Sequence, residues 1–205
     1  MGTMIFAAML FAAVSPIALN AQLAEIHVLD NSALHPPAGA RVAIVEFDDL
    51  ECPSCAHFNP LLMQATAKYH IPWIRHDFII PYHTWSRRAA ICARWFDEHN
   101  QTLGDEFRNA VFANQPDIYN QGALNQFAQK FAQDHGLALP ASIDPQGKLD
   151  AAVTADTNLG RRTGVNATPT IFVVSSGPHG SSYQQILDPD NALYLAIDKA
   201  LAQTR

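Results

Sequence analysis

The chain has 205 residues, 48% of them hydrophobic and 16% charged, a balance that supplies one sizeable core and excludes intrinsic disorder. A net charge of -6 gives no global electrostatic footing for DNA, RNA or an anionic membrane, so nucleic acid is not an expected partner.

From Met1 to Ala24 there is no charged side chain, and Met4 to Val14 (MIFAAMLFAAV) is an apolar run with the length of a signal-peptide core, short of a membrane span. Ser15-Pro16 ends it, and Leu19-Asn20-Ala21 places a small residue before a cut at Gln22. Residues 1–21 therefore read as a signal peptide or N-terminal anchor, which predicts export to the periplasm or cell envelope, an oxidising compartment. Three cysteines make an odd count, which fits a working dithiol plus one spare, Cys92, better than a disulfide framework.

Residues 22–40 (with LHPPAG) read as a lead-in, after an edge strand at Glu25 to Leu29. The domain spans 41–203. VAIVEF (42–47) has strand length and β-branching, and it meets a turn, Asp48-Asp49-Leu50-Glu51, followed by Cys52-Pro53-Ser54-Cys55. Phe58, Leu61, Leu62 and Ala65 then recur at helical spacing up to His70, with Pro53 tolerated in the first turn. Ile71 to Ile80 predicts a second buried strand and hence a right-handed β-α-β unit. Helices are expected over Trp85 to Asn100, Leu103 to Asn114, Asn120 to His135 and Lys148 to Thr163, a helical insertion at about 85–165. Thr170 to Val174 returns to strand, SSGPHGSS makes a loop, Tyr183 to Leu187 a last short strand, and Pro189 to Gln203 a closing helix. The class is α/β, a central sheet flanked by helices with an inserted helical subdomain.

A helix N-terminus stabilises a thiolate through unpaired N–H groups and the positive end of the macrodipole, and Cys52 is placed there. Cys55 lies one turn on, within reach of a disulfide and able to displace a partner held on Cys52. The same spacing is half of a tetrahedral metal site, but there is no second CxxC, and Cys92 and the nine histidines form no close partner set. Glu46, six residues ahead of Cys52 in an apolar strand, reads as a buried acid that relays a proton to or from Cys55, unless strand alternation turns it away. Pro169 stands directly before a core strand, where it cannot donate to a ladder. A cis Thr168-Pro169 turn accounts for that position and leaves the Thr168 backbone to pair with an extended peptide.

Cys92 reads as a small buried hydrophobe. Neither His57 nor His83 is assigned a catalytic role, and Arg87 and Arg88 read as the start of a solvated helix face. Phe58, Phe78, Trp85, Trp95 and Phe96 read as core.

EFDDLECPSCAHF, DFIIPYHTWSRRAA, the helical insertion and GVNATPTIFV together resemble the thioredoxin superfamily, and within it the DsbA-like thiol-disulfide oxidoreductases of the bacterial cell envelope. The resemblance implies a thioredoxin fold, Cys52 as exposed nucleophile, Cys55 as buried partner, Glu46 as buried acid and Pro169 as cis-proline. It also implies cysteine-containing protein substrates, reoxidation by a membrane quinone-linked oxidase, and no bound cofactor or metal. Pro53 and Ser54 fill the motif where the strongly oxidising type has Pro-His, so a less oxidising pair is expected, and Thr168 precedes the proline as in isomerase-like relatives, which leaves the direction of electron flow open. A reductase or isomerase is the nearest alternative. From other classes, a soft-metal-binding or metallochaperone module and a chaperone-like use of the groove stay open.

Overall fold

A computed structural model of the chain describes residues 23–178 and 180–204. The expected leader at 1–21 lies outside the described residues, and among those described no helix is long and apolar enough to cross a membrane.

The elements in chain order are β1 (Val42–Asp48), α1 (Pro53–Tyr69), β2 (Trp73–Asp77), α2 (Ser86–His99), α3 (Gln101–Ala113), a single 3-10 turn at Gln115–Asp117, α4 (Gln121–Asp134), α5 (Lys148–Thr163), β3 (Thr170–Gly177), β4 (Gly180–Gln185) and α6 (Pro189–Gln203). One mixed sheet has the order β2-β1-β3-β4, with β1 and β2 parallel and the other two pairings antiparallel. β1 is buried along its whole length because both faces of the sheet are covered. Val42 and Ile44 pack with Ile171 and Val173 against Leu62 and Ala65 of α1 and Leu193 and Ile197 of α6. Ala43, Val45 and Phe47 point the other way, into a cluster with Phe78, Val165 and Phe172. A third apolar cluster fills the helical block, where Phe96, Phe107, Val111, Leu124 and Ala128 meet Leu50, Cys52, Cys55 and Trp85. The cysteines thus sit where the helical block closes over one end of the sheet.

Three expectations need correcting. Glu25 to Leu29 is not an edge strand: its donors go to a side chain and a helix end, Ile26 N–H to Gln185 Oε1 at 2.9 Å and Leu29 N–H to the Thr163 carbonyl at 3.1 Å, so no ladder forms. The second strand is shorter than Ile71 to Ile80. Pro72 has no N–H, and beyond Asp77 the Ile79 and Ile80 amides donate to Thr157 Oγ1 and Asp49 Oδ2 in place of a neighbouring strand. The Ser- and Gly-rich stretch is largely hairpin, since β3 runs on to Gly177 and β4 begins at Gly180. There the hydroxyls of Ser175 and Ser182 pair at 2.8 Å, and those of Ser176 and Ser181 at 3.0 Å, giving a polar edge its cross-strand contacts.

Candidate active site

The turn from β1 into α1 is fastened from several directions. Asp49 accepts from the Glu51 N–H at 2.8 Å and the Ile80 N–H at 2.8 Å, and its carbonyl accepts from the Cys52 N–H at 2.9 Å. Gln115 Nε2 donates to the carbonyls of Leu50 at 2.9 Å and Cys52 at 3.1 Å. The Glu51 carboxylate accepts from the Trp85 and Ser86 amides at 2.6 and 3.0 Å. The loop that carries Cys52 is therefore anchored to the helical block.

Cys52 is the N-cap of α1, with Pro53 in the first turn and no side chain capping the helix. The first-turn amides lack intrahelical partners and are available to sulfur. Cys52 and Cys55 lie 3.5 Å apart and are unbridged. A hydrogen bond from Cys55, the Thr168 side chain, and the N–H groups of Cys55 and half-buried Ser54 together outweigh desolvation and bring the Cys52 thiol down to about 6. Cys55 is pushed well above the ordinary thiol range, by burial first and then by Cys52, Glu46 and Asp48. Cys52 is not exposed as expected but buried, keeping 7% of its surface where Cys55 keeps none, so it is the more reachable of two buried sulfurs. A low-pKa, reachable sulfur beside a high-pKa, sealed one is an asymmetric dithiol in which one atom attacks and the other resolves.

Alternation along β1 puts Glu46 on the face of Val42 and Ile44, the face that α1 covers. Its Oε2 accepts from Trp73 Nε1 at 3.0 Å. Burial, reinforced by Asp48 and only partly offset by Arg75 and Trp73, pushes the carboxyl up to about 8, so it is neutral at pH 7. From the far side, Cys52 Sγ donates to the Thr168 carbonyl at 3.3 Å, and the Thr168-Pro169 bond is cis. Glu46, Cys52, Pro53, Ser54, Cys55, Thr168 and Pro169 are thus gathered at one end of the sheet.

Other singled-out residues fall elsewhere. Cys92 is fully buried in α2, its thiol pushed up to about 11 by burial, and serves packing. His57 is exposed, and His83 Nδ1 stands 3.0 Å from Asp49 Oδ2. Arg87 and Arg88 do not simply face solvent: Arg87 Nε binds Asp150 Oδ1 at 2.6 Å, tying α2 to α5, and Arg88 Nε reaches Asn125 Oδ1 at 3.4 Å. Sequence reading passed over Asp48, Glu51, Trp73, Arg75, Asn109 and Gln115. The available signals were two adjacent acids at a strand exit and a Trp and Arg two residues apart in IPWIRHD.

Among solved structures, alpha-DsbA1 of Wolbachia pipientis is similar at 19% identity and a TM-score of 0.63, covering 84% of this chain and 94% of that one. BdbD of Bacillus subtilis, in its oxidised form, is similar at 19% identity and a TM-score of 0.61, covering 89% and 98%. A periplasmic thioredoxin-like protein of Salmonella enterica serovar Typhimurium is similar at 20% identity and 0.61, covering 82% and 88%. These likenesses show the thioredoxin fold expected from the sequence. A curated relative, Disulfide bond formation protein D of Bacillus subtilis (strain 168), is 28% identical over 142 residues, which are 65% of this chain and 64% of that relative's length. A family model described as thioredoxin matches residues 37–185, most of the chain, and the chain belongs to that family.

Proposed function

We propose that the chain is an exported thiol-disulfide oxidoreductase that forms disulfides in cysteine-containing proteins. The observation that carries this reading is the asymmetry of the dithiol, Cys52 at about 6 and Cys55 driven far the other way by burial. In the oxidised protein a substrate thiolate attacks Cys52 Sγ, the Cys52–Cys55 bond breaks, and Cys55 leaves as a thiolate that takes a proton from Glu46. A second substrate thiolate then attacks the substrate sulfur of the mixed disulfide. The substrate disulfide forms, Cys52 leaves as a thiolate, and two electrons rest on the protein. A low leaving-group pKa at Cys52 speeds that second step and stabilises the reduced form, the property of an oxidant.

Reoxidation falls to a membrane quinone-linked oxidase, and the cell envelope or periplasm is the compartment. The uncharged, apolar run from Met4 to Val14 supports export. The name of the Bacillus relative supports disulfide formation, and that of the Salmonella neighbour a periplasmic setting.

The test is the reduction potential of the Cys52–Cys55 pair in glutathione buffers. A Cys52 pKa between those of strongly oxidising and reducing thioredoxin-fold proteins predicts a potential between about -120 and -270 mV. A value at or below about -270 mV would make the protein a reductase and overturn the direction proposed.

A further inference from the structure

In the parallel β1–β2 ladder Glu46 lies opposite Arg75, a pairing in which a buried carboxylate ordinarily takes the guanidinium beside it. Arg75 does not bind it. Its Nε and Nη2 both reach Asp48 Oδ2, at 3.0 and 2.9 Å, and its Nη1 reaches Asn109 Oδ1 on α3 at 3.1 Å. All three nitrogens are committed, and the guanidinium carbon rests 4.4 Å from the centre of the Trp73 ring. The side chains of Arg75 and Asp48 are only 5% and 2% exposed, so solvent screens little of this arrangement. Glu46 is left with the neutral indole of Trp73 as its hydrogen-bond donor.

We propose that Asp48 and Asn109 are positioning residues that hold Arg75 off Glu46, keeping Glu46 a neutral proton donor to Cys55. The inference rests on the role given to Glu46 in the exchange reaction above.

The charges around Glu46 support it. Asp48 on β1 and Cys52 at the start of α1 favour the neutral carboxyl, as a carboxylate would be repelled by both, and Arg75 on β2 opposes them. Cys55 on α1 feels the Glu46 charge in turn. Further out, Asp77 on β2 and Arg108 on α3 act on Asp48, and Arg75 acts on Asp105 of α3. Arg75 is thus the cation acting on Glu46, and it opposes a shift that burial leads and Asp48 reinforces. Without Asp48 the buried guanidinium would lose the carboxylate bonded to it, with only the more distant Asp105 acting on it, a costly state that pairing with Glu46 relieves. A cleft of about 410 Å³ lined by Met63, Trp73, Arg75, Asp105 and Asn109 adjoins the arginine side chain.

The test uses the full chain in its reduced form. The infrared carbonyl band of the Glu46 carboxyl, assigned by its loss in Glu46→Gln, is titrated in four proteins. Wild type is expected to titrate at about 8. In Asp48→Asn the midpoint falls below about pH 6, as for a carboxylate beside an arginine. The double variant Asp48→Asn/Arg75→Gln, with the cation gone too, returns it close to the wild-type value. Asn109→Ala, at a half-buried site, lowers it by a smaller step. At pH 7 the step in which Cys55 leaves slows about tenfold in Asp48→Asn, following the lost neutral fraction of Glu46. An unmoved Glu46 band in both Asp48→Asn and Asn109→Ala, or a double variant that fails to restore it, overturns the inference. If the band moves as expected while Glu46→Gln leaves exchange untouched, the positioning stands and the proton-donor role of Glu46 falls.

Discussion

The sulfur of Cys52 and the carbonyl oxygen of Thr168, 116 residues apart in sequence, lie 3.3 Å from each other. A carbonyl accepts only from the thiol and so favours the protonated form. The low pKa of Cys52 must therefore be built by donors, of which the Cys55 thiol is the largest contributor. Titrating thiolate absorbance at 240 nm should give a midpoint of about 6 for Cys52 in the reduced protein. Cys55→Ala should raise it by roughly one unit, the value of one hydrogen bond to a charged sulfur. A midpoint that stays in place would assign the effect to the helix-terminal amides.

Glu46 also sets a pH dependence of stability. Its folded pKa of about 8 lies above the ordinary 4.5, so folding keeps a proton that the unfolded chain releases between those values. The contribution is fully present below 4.5 and lost as pH rises through 8. Cys52 behaves in the opposite sense. Its folded pKa of about 6 lies below 9.0, so its contribution is fully present above 9.0 and lost as pH falls through 6. Between 6 and 8 the two slopes oppose each other, and the reduced wild type should show little net dependence from this pair. Glu46→Gln removes the falling limb. Urea unfolding of the reduced proteins should show the variant gaining on wild type from pH 4.5 to 8, by up to about 5 kcal/mol. A constant difference between them would mean that Glu46 is already ionised in the folded protein.

Much of the fold was legible because periodicity reports burial. Lys148–Thr163 was readable to its ends, with glycine just outside each terminus. Glu25 to Leu29 misled because an extended segment satisfied by the Gln185 side chain and the end of α5 has the same composition as a strand in a ladder. The hairpin at Gly177–Gly180 was hidden because its strands are stabilised by serine hydroxyls and backbone pairing rather than by apolar alternation. At the site, the cysteines were readable from strand, turn and helix in immediate succession. Asp48, Arg75 and Asn109 were not, since their meeting depends on strand register and on where α3 docks, neither of which one sequence prints.

Gly160 allows α5 to lie close against the aromatic residues beneath it. A Cβ there would stand 2.5 Å from Phe78 Cδ2 and 3.0 Å from Phe47 Cδ1, both on rings held in the buried cluster. Alanine favours a helix interior over glycine by about 1 kcal/mol, yet overpacking a filled core costs about 1 to 3. The clash involves two buried rings, so Gly160→Ala should be destabilising by roughly 2 kcal/mol in denaturant unfolding. Equal or higher stability would show that α5 can shift outward at little cost.

Glu51 joins the reactive loop to the helical block by doing for α2 what that helix's own N-cap, Trp85, does not. Its carboxylate accepts from the Trp85 and Ser86 amides, and Thr84 Oγ1 donates to its other oxygen at 3.4 Å. Negative charge at this end also complements the helix dipole. Glu51→Ala leaves both amides without a protein acceptor and should cost about 2 kcal/mol, with faster hydrogen exchange at Trp85 and Ser86. Glu51→Gln retains an oxygen acceptor and loses the charge, so about half that cost is expected. Because Glu51 adjoins Cys52, the alanine variant should also loosen the turn that presents the sulfur, visible as faster exchange at the Cys52 amide. Protection at that amide equal to wild type would show that Asp49 and Gln115 hold the turn without the link to α2.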